Sequence, residues 1–277
     1  ETALGAKLLY PLPMLRPLVS VKEQNLWGTK IHDPAFNTYI ESIFTSGEMP
    51  EDVRSEFGGL MLKRCGYVDT TMLIKATANM LDNKTSLVKE RFEIKELLIE
   101  GDSVSYRGRT ARKIIFCEGP NLSHNQYFNW LPLRPVKGET LLVELSRPLP
   151  YILNRGVFVL PVFENTAVVG ATFEHRELNW NSSDKGRDEL EHKLRTLTSI
   201  PYKVVAQKAG IRPATQDRRP FIGIHPRYEP LGVFNGLGTK GVSLAPYFAH
   251  EFSEFLELGT PLTNEVTISR YFILYYD

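Results

Sequence analysis

The sequence predicts a mixed α and β protein, combining α/β and α+β features, in which strands and helices are interspersed along the chain. Three observations predict this class. Helix-capping residues precede apolar residues at helical spacing in two segments, several short apolar runs are bounded by turn residues, and a late strand-like run leads through glycines into a helix. The 277 residues, of which 42% are hydrophobic, are enough to form an apolar core.

The first third of the chain predicts one helix followed by short strands. Asp69 precedes two threonines and then apolar residues at helical spacing, which indicates a capped helix ending near Asp82. The basic run Arg107–Lys113 lies between two apolar segments and predicts a solvated hairpin rather than a nucleic-acid site. The strands are predicted at 86–88, 92–98, 101–106 and 113–117, the last being apolar on both faces as in a buried strand.

The middle of the chain predicts an antiparallel sheet followed by a helix. From Leu131 onward, prolines separate strand-like runs, which is typical of a sheet with irregular edges. Ser183 then opens a charged amphipathic helix that ends before Pro201. The predicted strands lie at 140–145, 157–160 and 167–169.

The last third predicts a strand at 204–209, a loop rich in Gly, Pro and Arg at 210–223, a strand at 231–234, and a final helix. That helix is predicted to begin at Pro246 and to end at Gly259, because proline favours the first turn of a helix and glycine the position just past its end.

The sharpest local motif is the glycine turn, defined as residues 236–241, with the sequence Gly-Leu-Gly-Thr-Lys-Gly. It matches the spacing of a dinucleotide-binding turn, but Glu257, about 20 positions on, lies inside the predicted helix instead of ending a second strand. The motif therefore does not begin a Rossmann unit. Two interpretations stay open: a turn whose amides approach an electron-rich ligand, and a plain strand-to-helix turn.

Two further positions could bind a ligand. Arg212 stands between Gly210-Ile211 and Pro213, and a guanidinium presented so stiffly could bind a carboxylate or form a structural ion pair. Gly119 follows a predicted buried strand, where a ligand could lie against the backbone. The loosest catalytic candidates are Asp69, Glu174, His175 and Asp217, and capping or solvated roles are favoured for each.

Composition and spacing exclude several classes of protein. The net charge of +1 does not favour nucleic-acid binding, and the absence of a long apolar run or a signal pattern predicts a cytoplasmic protein without membrane contact. No metal-ligand spacing occurs, and Cys65 and Cys117 are expected to be buried thiols. The first residue is Glu1 instead of Met, from which we expect a fragment.

Taken in order, several segments resemble the family of FAD-dependent amine oxidoreductases that includes glycine oxidase, sarcosine oxidase and D-amino acid oxidase. The resemblance extends from about Pro11 to Leu262. The segments that carry it are 66–69, 114–119, 135–139, 160–161, 169–174, 210–223 and 236–246.

The resemblance implies two domains. Residues 1–68 and 125–205 would form a substrate domain with a mixed, largely antiparallel sheet and flanking helices, and residues 69–124 and 206–277 a partial FAD-binding, Rossmann-like domain. The family's N-terminal strand, glycine-rich turn and helix, which hold the FAD pyrophosphate, have no counterpart in this sequence. Weak FAD binding, or none, is therefore expected.

The resemblance also implies roles for individual residues. The glycine turn would lie against the isoalloxazine ring, Val88 near the adenine side or ring backbone, and Gly119 near a phosphate or ribose. Arg212 matches the position that clamps the amino-acid carboxylate. The residues of the glycine turn are Gly236, Leu237, Gly238, Thr239, Lys240 and Gly241.

Lys240 and the helix after it would favour an anionic reduced flavin. Some relatives attach FAD through a cysteine near Gln216, and Thr215, Gln216 and Asp217 stand there in this chain, so FAD would be held non-covalently. No catalytic residue is assigned.

The implied activity is oxidation of the C–N bond of a small amine or amino acid to an imine by hydride transfer to FAD. The alternative is a non-catalytic module derived from a flavoprotein that binds a ligand or a partner chain. The identity of the amine, the electron acceptor and the oligomeric state are left open.

Overall fold

The computed structural model describes residues 1–276 and confirms the mixed α and β class. The chain divides into two compact units, which are described separately. The first unit comprises residues 1–87, 138–173 and 180–210, and the second comprises 88–137, 174–179 and 211–277. The segments predicted for a substrate domain fall mainly in the first unit and those for FAD binding mainly in the second, although residues 69–87 group with the first. The functional assignment of the units stays a prediction.

Within residues 1–276 the helices longer than a 3₁₀ turn are α1 (Val21–Lys30), α2 (Pro34–Asn37), α3 (Thr70–Asn83), α4 (Asp184–Leu197), α5 (Gly241–Leu258) and α6 (Ile273–Tyr276). The strands of the first unit are β1 (Leu9–Pro11), β2 (Met14–Pro17), β3 (Ile40–Phe44), β4 (Gly59–Leu62), β5 (Gly66–Val68), β10 (Val136–Leu145), β11 (Ile152–Arg155), β12 (Val157–Phe163), β13 (Thr166–Gly170) and β14 (Tyr202–Arg212), where the ends of β10 and β14 reach into the second. Those of the second unit are β6 (Leu98–Glu100), β7 (Ser103–Tyr106), β8 (Arg109–Ala111), β9 (Ile114–Phe116), β15 (Phe221–Ile224) and β16 (Leu231–Asn235).

The two predicted helix starts with capping residues are confirmed. The Asp69 carboxylate accepts a hydrogen bond from the Met72 N–H at 2.8 Å and caps α3. The Ser183 hydroxyl accepts one from the Gly186 N–H at 3.1 Å and caps α4. Each side-chain acceptor satisfies an N–H that the first helical turn leaves unpaired.

The predicted start of the last helix is wrong. Helix α5 begins at Gly241, the last residue of the glycine turn, and Pro246 lies inside it. A proline there removes only the hydrogen bond to the carbonyl of residue 242, a loss that an otherwise continuous helix tolerates at the cost of some stability. The predicted end is confirmed, because Gly259 closes the helix in the left-handed conformation with φ 72°.

The first unit is built on an eight-stranded sheet in the order β14-β10-β13-β12-β11-β2-β4-β3. The predicted antiparallel pairing is confirmed for β10 with β13 and for β12 with β13, whereas β11 and β2 pair in parallel. Helix α4 packs its apolar stripe on this sheet, where Leu190 and Leu194 join Leu141, Val159 and Val169 in one fully buried cluster. Each such leucine stabilises the fold by about 2 kcal/mol.

The second unit contains two three-stranded sheets, β15-β16-β9 and β6-β7-β8. Strand β16 pairs antiparallel with β15 and parallel with β9. Phe116, Phe221 and Val233 pack in one apolar cluster, while Ile222 packs with Phe252 of α5 in another.

Several strand predictions in this region are wrong. Residues 86–88 form no strand. In the run 92–97, residues Ile94–Glu96 form a 3₁₀ turn, and Phe92 stacks on Tyr106 at 4.4 Å instead of joining a ladder. Residues 210–212 and 221–223, predicted as loop, belong to β14 and β15. The predicted exposed hairpin is confirmed, with Arg107 and Gly108 in the left-handed turn between β7 and β8.

The predicted burial of β9 and of the cysteines needs correction. Phe116 is buried, but Ile114 and Ile115 are only half-buried because β9 is an edge strand. Cys65 is half-buried and Cys117 is exposed. In the part of the chain that the structure describes, no helix combines the length and apolarity needed to cross a bilayer. The cytoplasmic location stays a prediction.

Candidate functional site

The glycine turn joins the end of β16 to the start of α5 in the second unit. Gly236 and Gly238 adopt positive φ angles of 75° and 56°, which glycine reaches without strain. A Cβ atom added to Gly236 would lie 2.5 Å from Cγ2 of Thr215, so this position admits no side chain. Both the torsion angles and the packing therefore require glycine at the first position of the turn.

Alternate main-chain N–H groups of the turn donate hydrogen bonds within the chain. The N–H of Gly236 donates to Oδ1 of Asn235 at 2.7 Å, that of Gly238 to the Pro213 carbonyl at 3.1 Å, and that of Lys240 to the Leu237 carbonyl at 3.1 Å. Among residues 1–276, no acceptor is present for the N–H groups of Leu237 and Thr239.

These two donors stand at the positive end of α5, where a helix favours negative charge. The turn therefore has two N–H donors that could bind an electron-rich ligand group, and the exposed Lys240 lies in the same turn. This donor set fits the polar edge of a flavin ring.

Asn235 connects the glycine turn to Gly119. Its buried side chain accepts from the Gly236 N–H through Oδ1 and donates from Nδ2 to the Gly119 carbonyl at 3.0 Å. Gly119 has φ 59°, and no described atom lies within 4 Å of the position that its Cβ would take. The structure thus brings Gly119, with open space beside it, next to the glycine turn. Sequence reasoning missed Asn235, although a polar residue directly before Gly236 was a readable signal.

The two residues that follow Arg212 contact the glycine turn. The Pro213 carbonyl accepts the Gly238 hydrogen bond, and Cα of Ala214 is 3.6 Å from the position of a Cβ on Gly238. Arg212 is half-buried at the end of β14, and this burial lowers the pKa of its guanidinium. Because desolvation disfavours the charged form, an anion beside this side chain would be favourable.

Val88 is not brought to this site by any recorded contact. It lies in an irregular segment with 42% of its surface exposed. Within the described residues, no hydrogen bond, ring contact or ion pair joins it to the glycine turn.

Three of the four weakest catalytic candidates make local structural contacts, and the fourth, His175, is exposed. Asp69 caps α3. Oε1 of Glu174 accepts from the N–H groups of the next two residues, both at 2.9 Å. Asp217 accepts from Nε of Arg270 at 2.9 Å, and although burial alone would raise its pKa, the hydrogen bonds from Arg270 and Arg219 bring the pKa below its usual value.

The first unit contains a buried carboxylate that the sequence analysis did not single out. Glu139 on β10 is 3% exposed and accepts from the N–H and hydroxyl of Ser183, at 2.8 and 2.7 Å, and from Nε2 of Gln207 at 2.7 Å. It therefore ties β10 and β14 to the N-terminus of α4, where the helix favours a negative charge. In residues 1–276, no group of three or more His, Cys, Asp or Glu side chains could hold a metal ion.

Solved structures with the same fold include two oxidases. The iminodiacetate oxidase of Chelativorans sp. BNC1 superposes with a TM-score of 0.77 at 19% identity, covering 96% of this chain and 77% of that one. Glycine oxidase from Geobacillus kaustophilus gives a TM-score of 0.74 at 23% identity, covering 93% of this chain and 73% of that one.

Comparison of sequences gives the family. The family described as FAD dependent oxidoreductase (DAO) matches residues 16–255, and the chain belongs to it. Glycine oxidase from Pseudomonas putida is 30% identical over 140 residues, which are 48% of this chain and 38% of that protein. The tRNA 5-methylaminomethyl-2-thiouridine biosynthesis bifunctional protein of Leptospira interrogans is 24% identical over 249 residues, 76% of this chain and 36% of that protein. The chain thus spans well under half of the length of these curated relatives.

Proposed function

We propose that this chain forms the substrate-binding and flavin-ring-binding part of an enzyme that oxidises the C–N bond of an amine or amino acid to an imine. The observation that carries the proposal is the glycine turn, with its unpaired N–H groups at Leu237 and Thr239, packed beside the segment that follows Arg212. Membership of the FAD-dependent oxidoreductase family supports the choice of cofactor.

FAD, when bound, supplies the two-electron oxidant that takes hydrogen from the substrate carbon. The residues that would hold its ring are those of the glycine turn, with Gly119 beside them. The Leu237 and Thr239 N–H groups, the Lys240 ammonium and the N-terminus of α5 would stabilise negative charge on the ring edge that they face.

Arg212 would bind the carboxylate of an amino-acid substrate. A guanidinium offers two parallel N–H donors that match a carboxylate, and partial burial strengthens that interaction. Held in this way, the substrate carbon is oriented toward the ring, and orientation is the main contribution that the chain makes to the rate. A general base is not assigned, because a substrate amine that binds neutral needs none.

Flavin binding is the first test. Because the chain alone is expected to bind FAD weakly or not at all, FAD is added in large excess, and any binding should shift the visible flavin bands and slow amide exchange in residues 236–242. Lys240→Gln should weaken binding several-fold, whereas Lys203→Gln, in β14, should leave it unchanged. Protection confined to other segments would refute the assignment of the site.

If the chain alone binds no FAD, the decisive measurement uses the chain mixed with the part of Pseudomonas putida glycine oxidase that has no match here. Failure of this mixture to bind FAD would also refute the assignment.

The role of Arg212 is tested by substrate preference in the flavin-loaded enzyme. Arg212→Ala is expected to raise KM by about tenfold or more for substrates with a carboxylate, because a lost charge-assisted pair costs about 1.5–3 kcal/mol. KM for simple amines should change little, and Arg212→Lys should recover part of the loss. An equal effect on both classes of substrate would exclude the clamp.

The alternative is a non-catalytic module that binds a ligand or partner. Turnover of any amine by the flavin-loaded protein would exclude it. Tight flavin binding without turnover of glycine, sarcosine, proline or simple amines would favour it.

A further inference from the structure

A cavity in the first unit is lined by two arginines that form no ion pair with any described residue. Its volume is about 420 Å³, which is within the range of about 300–1,000 Å³ typical of small-molecule sites. We call it the arginine cavity. The side chains that decide its chemistry are those of Arg54, Arg155, Glu56, Leu18, Val19 and Phe57.

Arg155, at the end of β11, is held in place by two main-chain carbonyls. Its Nη1 donates to the Arg54 carbonyl at 2.8 Å, and its Nη2 donates to the carbonyl of Thr196 in the last turn of α4. Within residues 1–276, no carboxylate oxygen lies within 4 Å of this guanidinium. These two contacts use two of its five N–H groups and leave three for a ligand.

The charge of Arg155 is only partly balanced by these contacts. The C-terminus of a helix carries about half a negative charge, which is less than the full charge of a guanidinium. Burial lowers the pKa of Arg155, because the charged form loses part of its hydration. An anion beside Arg155 would therefore be favourable.

Arg54 adds a second positive charge to the same cavity. Its main chain is fixed, since the Arg54 N–H donates to the Leu197 carbonyl at 3.0 Å and the Arg54 carbonyl accepts from Arg155. Its exposed guanidinium makes no hydrogen bond or ion pair within the described part of the chain. Among the described residues that line the cavity, Glu56 is the only acid, so the cavity has a net charge of about +1 at neutral pH.

The charge and the lining define the class of ligand. One excess positive charge matches a carboxylate, whereas a phosphate group, with a charge of about −1.5 to −2 near pH 7, exceeds it. The hydroxyl groups of Ser55 and Thr196 already donate to main-chain carbonyls, at 2.6 and 2.8 Å, so the guanidiniums are the side-chain donors that remain. Paired N–H groups of a guanidinium match the two oxygens of a carboxylate. Apolar surface beside them is supplied by Leu18, Val19 and Phe57.

We propose that the arginine cavity binds a small organic carboxylate with an apolar substituent. The carboxylate contacts Arg54 and Arg155, and the substituent lies against the three apolar side chains. The site shares no residue with the glycine turn or with Arg212, and it does not depend on the function proposed above.

The test is an NMR titration of the purified chain with 4-methylpentanoate, a carboxylate with a branched apolar tail. Saturable shifts of the amides of residues 54–57 and 196–199 are expected, with a Kd of about 1 mM. Acetate lacks the tail and 4-methylpentan-1-ol lacks the charge, so each should bind at least about tenfold more weakly. No saturable shift up to about 20 mM, shifts confined to other segments such as 210–216, or tighter binding of inorganic phosphate would overturn the proposal.

Three variants separate binding from folding. Arg54→Gln should raise the Kd at least about fivefold and leave the fold intact, because the guanidinium makes no contact within the described chain. Glu56→Gln removes the opposing charge and should lower the Kd about two- to fivefold. The matched control is Arg187→Gln, which removes an arginine of α4 that is already paired with Glu191 and should leave the Kd unchanged. Equal Kd values for Arg54→Gln and Arg187→Gln, or no effect of Glu56→Gln, would overturn the proposal.

Discussion

Acidification is expected to destabilise the second unit through one buried histidine, His225. Its side chain is 3% exposed, and Nδ1 accepts hydrogen bonds from the N–H groups of Arg227 and Tyr228, both at 3.1 Å. Aromatic rings surround it, with the Tyr275 ring centroid at 4.9 Å and that of Phe128 at 5.3 Å. Protonation would place a charge in this apolar cluster and would remove the acceptor for two hydrogen bonds.

The magnitude follows from the pKa. Burial lowers the pKa of His225 from 6.5 to about 4, with a smaller contribution from the positive charge of Arg227, against a hydrogen bond to the Tyr127 main chain. The unfolded chain therefore binds a proton below about pH 6.5, while the folded chain resists it down to about pH 4. The free energy of unfolding should fall by about 2 kcal/mol between about pH 7 and about pH 5, and by roughly 3 kcal/mol in all near pH 4.

The assay is urea unfolding followed by tryptophan fluorescence, for which Trp130, 6.4 Å from the His225 ring, is a local reporter. His225→Asn keeps an acceptor near the position of Nδ1 but does not titrate, so its pH dependence should be smaller by about 2 kcal/mol. His250→Asn is the matched control, because the His250 side chain is 77% exposed. If His225→Asn keeps the pH dependence of the native chain, the reasoning is wrong.

Three substitutions test the packing directly in thermal or urea unfolding. Gly236→Ala should lower the free energy of unfolding by more than about 2 kcal/mol, because the new Cβ atom would collide with Thr215 and alanine is strained at a positive φ. Gly259→Ala adds the strain alone and should lower it by about 1 kcal/mol. Equal losses in the two variants would contradict this reasoning. Arg270→Ala should lower the free energy of unfolding by about 1.5–3 kcal/mol, because the guanidinium donates to Asp217 and to three carbonyl oxygens; a loss below about 0.5 kcal/mol would show that these contacts contribute no more than an exposed ion pair. Leu194→Ala, in the core, should lower the free energy of unfolding by about 2–5 kcal/mol, whereas Leu258→Ala, at an exposed position, should lower it much less. Equal losses in the two variants would contradict the packing of α4.

The helices were the elements best predicted from the sequence, because their signals are local. Asp69 and Ser183 mark the first turns of α3 and α4, and Gly259 marks the end of α5. A side-chain cap and a left-handed glycine act within four residues of their position, so distant parts of the chain change them little. The sequence does not indicate the start of α5, because the glycine turn has no capping side chain and Pro246 is typical of a first helical turn.

Strands were predicted less well, because their partners are distant in the chain. Residues 86–88 and the run around Phe92 have strand-like composition but no partner strand within the described residues. Most of the residues of β15 are predicted as loop from the sequence, and they form a strand because β16 pairs with them in antiparallel register. The burial of β9 was overestimated for the same reason, since an edge strand has a partner on one side alone.

The same distinction between local signals and contacts of distant segments applies to the candidate site. The sequence by itself determined the family resemblance, the glycine turn and the choice of Arg212, because these depend on residue types at fixed spacing. Only the tertiary structure decided that Pro213 accepts a hydrogen bond from Gly238, that Asn235 joins the turn to Gly119, and which turn amides remain unpaired. Hydrogen bonds between segments far apart in the chain depend on how the chain packs, and spacing along the sequence does not contain that information.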